Sequence, residues 1–378
     1  IASEAASFGY PEIDVGVIPA MHYVHLPRQI GRHKAFELCF NGQPIDAITA
    51  ERWNLINRVV PGKELYDEAL GLAKDYAKKS PQIMQIARDS FMRANDYEYR
   101  RNIENVVETI GFHKSDFLFP GLKDYQLKSH LNWLSPDFID PKTGNLIMVF
   151  QSYVIKTKNS NILIDTCVGN DKNRINRPFW HKQKKPYLDK LNKLGLSPDD
   201  IDYVMCTHLH ADHVGWNTKF ENNKWVPTFP NAKYIFSKKE YDFWLSETNI
   251  NKEKNHGSFQ DSVLPVIENG KYDLVSSDFS IEDFLFFEDA PGHTPGNMVI
   301  NLFSGGGHAV LCGDTIHHAI QLAYPEISSR FCEDPVESAS TRLRLLNKLV
   351  NTDSLILPAH FPKVGTIEKN KKGFYMNY

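Results

Sequence analysis

The sequence predicts an α/β fold, two β-sheets sandwiched between helices and preceded by a mostly helical segment. Three observations carry this expectation. After about residue 146, short apolar runs alternate with segments of helical period. Histidines and aspartates of metal-ligand type recur at the ends of those runs, beside Gly and Pro. Before about residue 112 the clearest pattern is helical. The 378 residues therefore divide into an N-terminal segment, 1–112, and a larger domain, 118–378, joined across 111–120.

In chain order, small residues lead into Phe8-Gly9-Tyr10-Pro11-Glu12-Ile13, and a Gly/Pro-punctuated stretch runs to Gly31. Helices are expected over 34–40, ending at Asn41-Gly42, and over 50–55. From Glu64 the period is clean: Leu65, Ala69, Leu72, Ala73, Tyr76 and Ala77 share one face. Ser80-Pro81 breaks it, and Pro81 suits the first turn of a helix through Met84, Ile86 and Phe91. The polar stretch 97–117 carries Val106, Val107 and Ile110 at the spacing of a terminal helix.

The larger domain opens on a polar segment with Trp133 and Phe138 and a turn at 141–144. Strands are expected over 147–155 and 161–164, the latter ending at Asp165-Thr166-Cys167. A helix carries Tyr187, Leu188, Leu191 and Leu194 and stops at Gly195. The apolar run 201–206 is a strand. Further strands follow at 232–236, 284–287, 298–302, 309–312 and 354–357, with helices at 238–245 and 335–349.

The run 201–206 leads into Thr207-His208-Leu209-His210-Ala211-Asp212-His213. Two imidazoles at H-x-H spacing on an extended segment reach one ion, and the adjacent Asp212 and His213 suit a second. Neutral imidazole with carboxylate favours borderline divalent ions, zinc first. One loop cannot complete two sites, and the missing ligands are expected downstream. His293 stands in PGHTPG, Asp314 in CGDT and His360 in PAHF, each just after a strand-like run.

HLHADH, PGHTPGN, CGDT and PAHF, in that order, resemble the metallo-β-lactamase superfamily over roughly residues 118–378. The resemblance implies an αββα sandwich. It implies His208, His210 and His293 on one metal, Asp212, His213 and His360 on a second, and Asp314 bridging both. Asp165 matches the aspartate that props the histidine loop by hydrogen bonds. Two cations would turn a bridging water into hydroxide for attack on a carbonyl or phosphorus centre, with Asp212 passing a proton to the leaving group. Relatives that reduce oxygen carry a carboxylate at the position of His210, so the all-histidine first site favours zinc over iron or manganese. Cys206 and Cys312, on apolar strands, are expected to be buried thiols.

The segments DTCVGNDK, HVGWN, PTFP and GDTIHH resemble the acyl-homoserine-lactone lactonase and methyl-parathion-hydrolase branches. The expected reaction is hydrolysis of a small lactone or ester. The alternatives are β-lactamase or phosphotriesterase activity at the same site, or a non-catalytic scaffold for a coenzyme A partner or an oligomer. Trp216, His317, His318, Gln321 and Tyr324 are expected to line the substrate pocket, with His317 or Tyr324 donating to the substrate carbonyl.

FGYPEIDVGVIP, LPRQIGRHKAFELCFNG and INRVVP resemble the C-terminal half of the crotonase (enoyl-CoA hydratase/isomerase) family over roughly residues 1–110. Glu12 stands at one of that family's two acid/base carboxylates. Ala20-Met21-His22-Tyr23 replaces its usual glycine-rich run, and the oxyanion-hole half has no counterpart. A carboxylate without oxyanion stabilisation lacks what is often the largest catalytic term, so a structural or homo-oligomerisation role is expected here.

A net charge of −3 gives no basic footprint for nucleic acid. Five scattered cysteines without a C-x-x-C pair suggest a reducing, cytoplasmic setting. Neither a signal-peptide pattern nor an apolar run long enough to span a membrane is found.

Overall fold

The computed structural model describes residues 1–15, 26–27, 29–81, 84, 103–281, 283–304 and 307–378. The chain divides into two compact units, Ile1–Tyr97 and Glu98–Tyr378.

In the first unit, helix α1 (Arg32–Asn41) ends on Gly42 in the left-handed conformation. Helix α2 (Ala47–Arg52) is capped by Asp46, whose carboxylate accepts from the Thr49 amide at 2.7 Å. Leu26, Ile30, Ala35, Leu38 and Cys39 form a small core. Helix α3 (Leu65–Ala77) has no buried residue, so the apolar face read from its period is uncovered among the described residues. Glu12 lies in the short 3-10 turn Pro11–Val15. Its Oε2 is buried and finds no hydrogen-bond partner among the described residues. The expected helix positions Ile86 and Phe91, and the run Ala20-Met21-His22-Tyr23, lie outside the described residues.

The second unit is built on two sheets. The first runs β6-β5-β4-β3-β2-β1 and the second β7-β8-β9-β10-β11. In the first, β1 is Ile103–His113, β2 Leu146–Lys156, β3 Asn161–Ile164, β4 Tyr203–Met205, β5 Lys233–Ser237 and β6 Tyr272–Val275. In the second, β7 is Ser280–Ile281, β8 Leu285–Asp289, β9 Met298–Ser304, β10 Gly307–Gly313 and β11 Leu355–Pro358. Strands β3 to β6 pair in parallel, as do β10 and β11.

Side-chain alternation along the strands fills three layers. Ile162 and Ile164 of β3 face Ile300, Leu311 and Leu357 of the second sheet. Leu163, between them, points outward and joins Tyr187 and Leu191 of helix α4 (Tyr187–Lys193) and Trp244 of helix α5 (Lys238–Ile250). On the far side, Val310 and Ile356 pack under Leu345, Leu346 and Leu349 of helix α6 (Pro335–Leu349). Helix, sheet, sheet, helix is the expected sandwich.

One element differs from expectation. Residues 103–113 form strand β1, not a helix, and pair antiparallel with β2. The register shifts between Val107 and Thr109, leaving Glu108 as an extra residue. That bulge breaks the period of two and leaves Val106, Val107 and Ile110 at a spacing that imitates a helix. The strand also belongs to the second unit, which therefore begins ahead of the expected 112–118 junction.

Candidate metal centre

The strands of both sheets end at one edge, and their following loops supply the polar residues. The loop after β4 carries 208–213. The loop after β8 carries His293, the end of β10 carries Asp314 and the end of β11 carries His360. Gly313 lets Asp314 approach this loop: its φ is +48°, and a Cβ there would stand 2.5 Å from Thr207 Oγ1.

Two groups result. His208, His210, His293 and Asp314 offer ligand atoms within 4.8 Å of one another, and so do Asp212, His213 and His360. In the first, His293 Nε2 lies 3.1 Å from His208 Nε2 and 2.8 Å from His210 Nδ1. Asp314 stands between the groups. Its Oδ2 is 3.3 Å from His293 Nε2 and 3.8 Å from His208 Nε2. Its Oδ1 is 3.0 Å from His360 Nε2 and 3.3 Å from His213 Nε2.

The outward nitrogens of these rings are anchored. His213 Nδ1 is 2.8 Å from Asp165 Oδ2, His360 Nδ1 is 2.9 Å from the Val149 carbonyl, and His208 Nδ1 is 3.2 Å from Thr207 Oγ1. Asp165 also accepts from the Thr207 amide at 2.7 Å and the Thr207 hydroxyl at 2.9 Å. It therefore holds both ends of the histidine loop. Fixing the outer nitrogen aims the inner lone pair, the arrangement a metal-binding imidazole requires.

Electrostatics fit a cation. Burial drives the pKa of His208 and His293 well down and that of His210 to about 4, keeping these rings in the neutral form that donates a lone pair. For His213, burial pulls down, but Asp314, Asp165 and Asp212 outweigh it and raise the pKa. Burial pushes Asp314 up, and His360, His213 and His317 hold it well below the usual carboxylate range. His213 Nε2 and Asp314 Oδ1 are buried and make no hydrogen bond among the described residues, although 3.3 Å apart. Buried polar atoms are rarely left so. Converging nitrogen and carboxylate atoms of this kind suit divalent ions such as zinc.

A cavity of about 550 Å³ opens over this cluster, lined at its base by His210, Asp212, Asp314, His317 and His360. Asp212 keeps 14 % of its side chain exposed there. His317, read from the sequence as a pocket residue, lines the cavity, its Nε2 3.3 Å from Asp314 Oδ2 and 3.1 Å from Ser329 Oγ.

The other expected pocket residues lie elsewhere. Trp216 is buried on the helix side of the first sheet, stacked on Tyr187 at 5.1 Å and donating to Glu108 Oε1 at 2.6 Å. Gln321 is fully buried. Its Oε1 accepts from the His317 amide at 2.7 Å and its Nε2 donates to the Ile327 carbonyl at 2.8 Å, so it shapes the wall only through His317. His318 turns away to the Phe138 carbonyl at 2.8 Å. Tyr324 packs edge-on against the His130 ring, 5.4 Å away, at the core outside the second sheet.

Several supporting residues gave no sequence signal. Glu240 of α5 is fully buried. It accepts from the Leu209 amide at 3.0 Å, the Gly296 amide at 3.0 Å and Trp244 Nε1 at 2.6 Å, tying the 208–213 loop to the His293 loop. Glu108, at the β1 bulge, accepts from the Val168 and Gly169 amides, each at 3.0 Å. Asn255 clasps the histidine loop, donating to the Leu209 carbonyl at 2.7 Å and accepting from the Ala211 amide at 3.1 Å. Cys332 lies 3.6 Å from His293 Nδ1 and lines the cavity.

Comparison with known proteins places both parts of the chain. The Enoyl-CoA hydratase/isomerase family model matches residues 1–134. A probable enoyl-CoA hydratase of Rhizobium meliloti (strain 1021) is 43% identical over 95 residues, 25% of this chain and 37% of that protein. The chain thus spans little more than a third of such relatives. Among solved structures, the hydrolase AbOPH of the beta lactamase superfamily aligns with TM-score 0.62 and 23% identity, over 72% of this chain and 92% of that one. AidC, a dizinc quorum-quenching lactonase, aligns with TM-score 0.59 and 23% identity, over 73% and 93%. At such identities these two share the fold. The Metallo-beta-lactamase superfamily model matches residues 151–360, more than half of the chain and all the candidate ligands described above. The chain belongs to the metallo-beta-lactamase superfamily.

Proposed function

We propose that the protein is a dinuclear metal-dependent hydrolase of small lactones or esters. The observation that carries this is the placement of Asp314, one carboxylate oxygen toward His208 and His293 and the other toward His213 and His360. A single carboxylate facing two histidine sets is the arrangement of a bridging ligand. His208, His210 and His293 would hold one divalent ion, and Asp212, His213 and His360 the other. Such a pair, most plainly zinc, supplies Lewis acidity toward water and toward the substrate carbonyl.

The remaining work falls to the chain's own groups. Asp212, partly exposed at the cavity base, would take a proton from the attacking water and return it to the departing alkoxide. His317, kept neutral mainly by burial, presents a ring nitrogen beside Asp314. Met148 and Phe150 give the cavity apolar walls that receive an acyl chain and exclude bulk water. AidC, of the same fold and described as a lactonase, supports the choice of lactones.

The test is a panel of acyl lactones, activated esters, phosphotriesters and β-lactams with metal-loaded protein. Lactones or esters should be turned over fastest. Turnover of β-lactams far above any lactone or ester would contradict the ranking.

A further inference from the structure

We infer that the substrate of this site carries a second, anionic group, a carboxylate or a phosphate, which Arg177 and Arg330 hold at the rim of the cavity. The inference rests on the hydrolase reading and names the substrate class. Its ground is an imbalance of charge at the rim of the cavity. Arg177, Lys185 and Arg330 line it, as does Lys254, which is paired with Glu247 at 3.3 Å. Apart from Asp212 and Asp314 at the base, the one carboxylate lining it is that of Glu333, among the described residues.

Two other arginines of this unit, both buried, are held by protein acceptors. Arg174 is paired with Asp261 through two bonds of 2.6 and 2.8 Å, and Arg342 donates to the Pro325 and Thr315 carbonyls. Arg177 and Arg330 form no ion pair with a carboxylate among the described residues. Their guanidinium groups instead share one ring: Arg330 lies 4.6 Å and Arg177 5.9 Å from the centre of Phe117. Arg177 also lies 5.0 Å from the Phe331 ring and donates to His256 Nε2 at 3.2 Å.

An aromatic platform fixes a guanidinium in space and leaves its in-plane donors available. Two such groups around one ring repel each other, and no carboxylate among the described residues pairs with either to offset that repulsion, though Asp212 attracts Arg177 from further off. An anion accepting from both would offset it, with the fork geometry that suits carboxylate and phosphate. Asp212 is not the missing counter-charge. With two divalent ions held, the carboxylates of Asp212 and Asp314 are already outweighed, and the arginines add to a positive surplus. The substrate this describes has a hydrolysable carbonyl over the histidines, an apolar body along Phe150, and an anionic end at the rim.

The test compares matched pairs differing only in the terminal charge. Anilides of succinic, adipic and suberic acid, each with one free carboxylate, are set against butanoyl, hexanoyl and octanoyl anilide. Binding to the metal-loaded full chain is measured by calorimetry. The corresponding p-nitrophenyl esters are assayed for hydrolysis. In at least one pair the anionic compound should bind about tenfold or more tightly at low ionic strength, and the preference should shrink as salt is added. Arg330→Gln, at an exposed side chain, and Arg177→Gln should each reduce the ratio within the pair. A phosphate monoester of 6-hydroxyhexananilide shows which anion is preferred.

A ratio near one in every pair, or a ratio unchanged by salt and by both substitutions, would overturn the inference. Absence of ester hydrolysis with the binding preference intact would overturn the proposed reaction and uphold the anion site.

Discussion

Replacing Glu240 by Ala should loosen the metal centre from a distance. The carboxylate touches none of the candidate ligands, yet it accepts from Leu209 N, Gly296 N and Trp244 Nε1 and so joins the loop of His208 and His210 to the loop of His293. Removing it orphans three buried donors. At about 1–3 kcal/mol for each unmade bond, less what water regains by entering the vacated space, the loss is roughly 3–5 kcal/mol. Glu240→Gln keeps one acceptor but turns an amide donor toward a backbone N–H, and should lose about 2 kcal/mol. Urea unfolding of the metal-free protein reads these losses as a shift in midpoint. Competition with a chromophoric chelator should show metal affinity reduced about 10–100-fold in Glu240→Ala, as for other residues that orient ligands. An unchanged midpoint and unchanged affinity would refute the clamp.

Asp165→Asn should weaken metal binding about 10–100-fold, because an amide cannot accept from both Thr207 and His213 in the same way; equal affinity in the chelator assay would contradict this. In the metal-free protein two histidines should subtract stability on acidification. His210 and His318 titrate near 6.5 when unfolded and at about 4 when folded, so the unfolded chain binds more protons between those values. The contribution of these two is therefore full above pH 6.5 and falls by a few kcal/mol towards pH 4, while His213 and His360, whose pKa is raised, act in the opposite sense; a pH dependence of the urea midpoint no flatter in His318→Asn would count against it. Glu108→Gln should destabilise the 165–170 loop and red-shift Trp216 emission, since the indole donates to this carboxylate; unaltered fluorescence would argue otherwise.

Much of the fold was legible because the second unit repeats simple patterns. Helix α6 is read at the same bounds, Pro335–Leu349, from its apolar stripe and Pro start. The β3 strand is likewise read at 161–164, bounded by polar turns. Strand β1 was not, because its bulge at Glu108 replaced alternation with a spacing that looks helical. The residues brought together at the centre were legible because His and Asp at strand ends have few other reasons to recur. The cavity walls were not. Trp216 follows the histidine loop by three residues, but chain proximity does not set side-chain direction. Gly215 lies so close to Val168 that a Cβ would fall 1.9 Å from its carbonyl, and this close pass goes with Trp216 turning toward Tyr187. Glu240 stands among charged and aromatic residues in the helix run KKEYDFW, and nothing in that run marks it as buried, because its burial is decided by distant residues. Arg177 and Arg330 are far apart in sequence, and only the fold brings them to one aromatic ring.

The claim that matters most is that Asp314 joins two metal sites. Elemental analysis of protein purified without chelator and reconstituted with zinc tests it directly. The account predicts about two divalent ions per chain, mainly zinc, falling by at least one in Asp314→Ala together with a steep loss of ester and lactone hydrolysis. Less than one ion per reconstituted chain, or an Asp314→Ala protein that keeps both its metals and its activity, would contradict it.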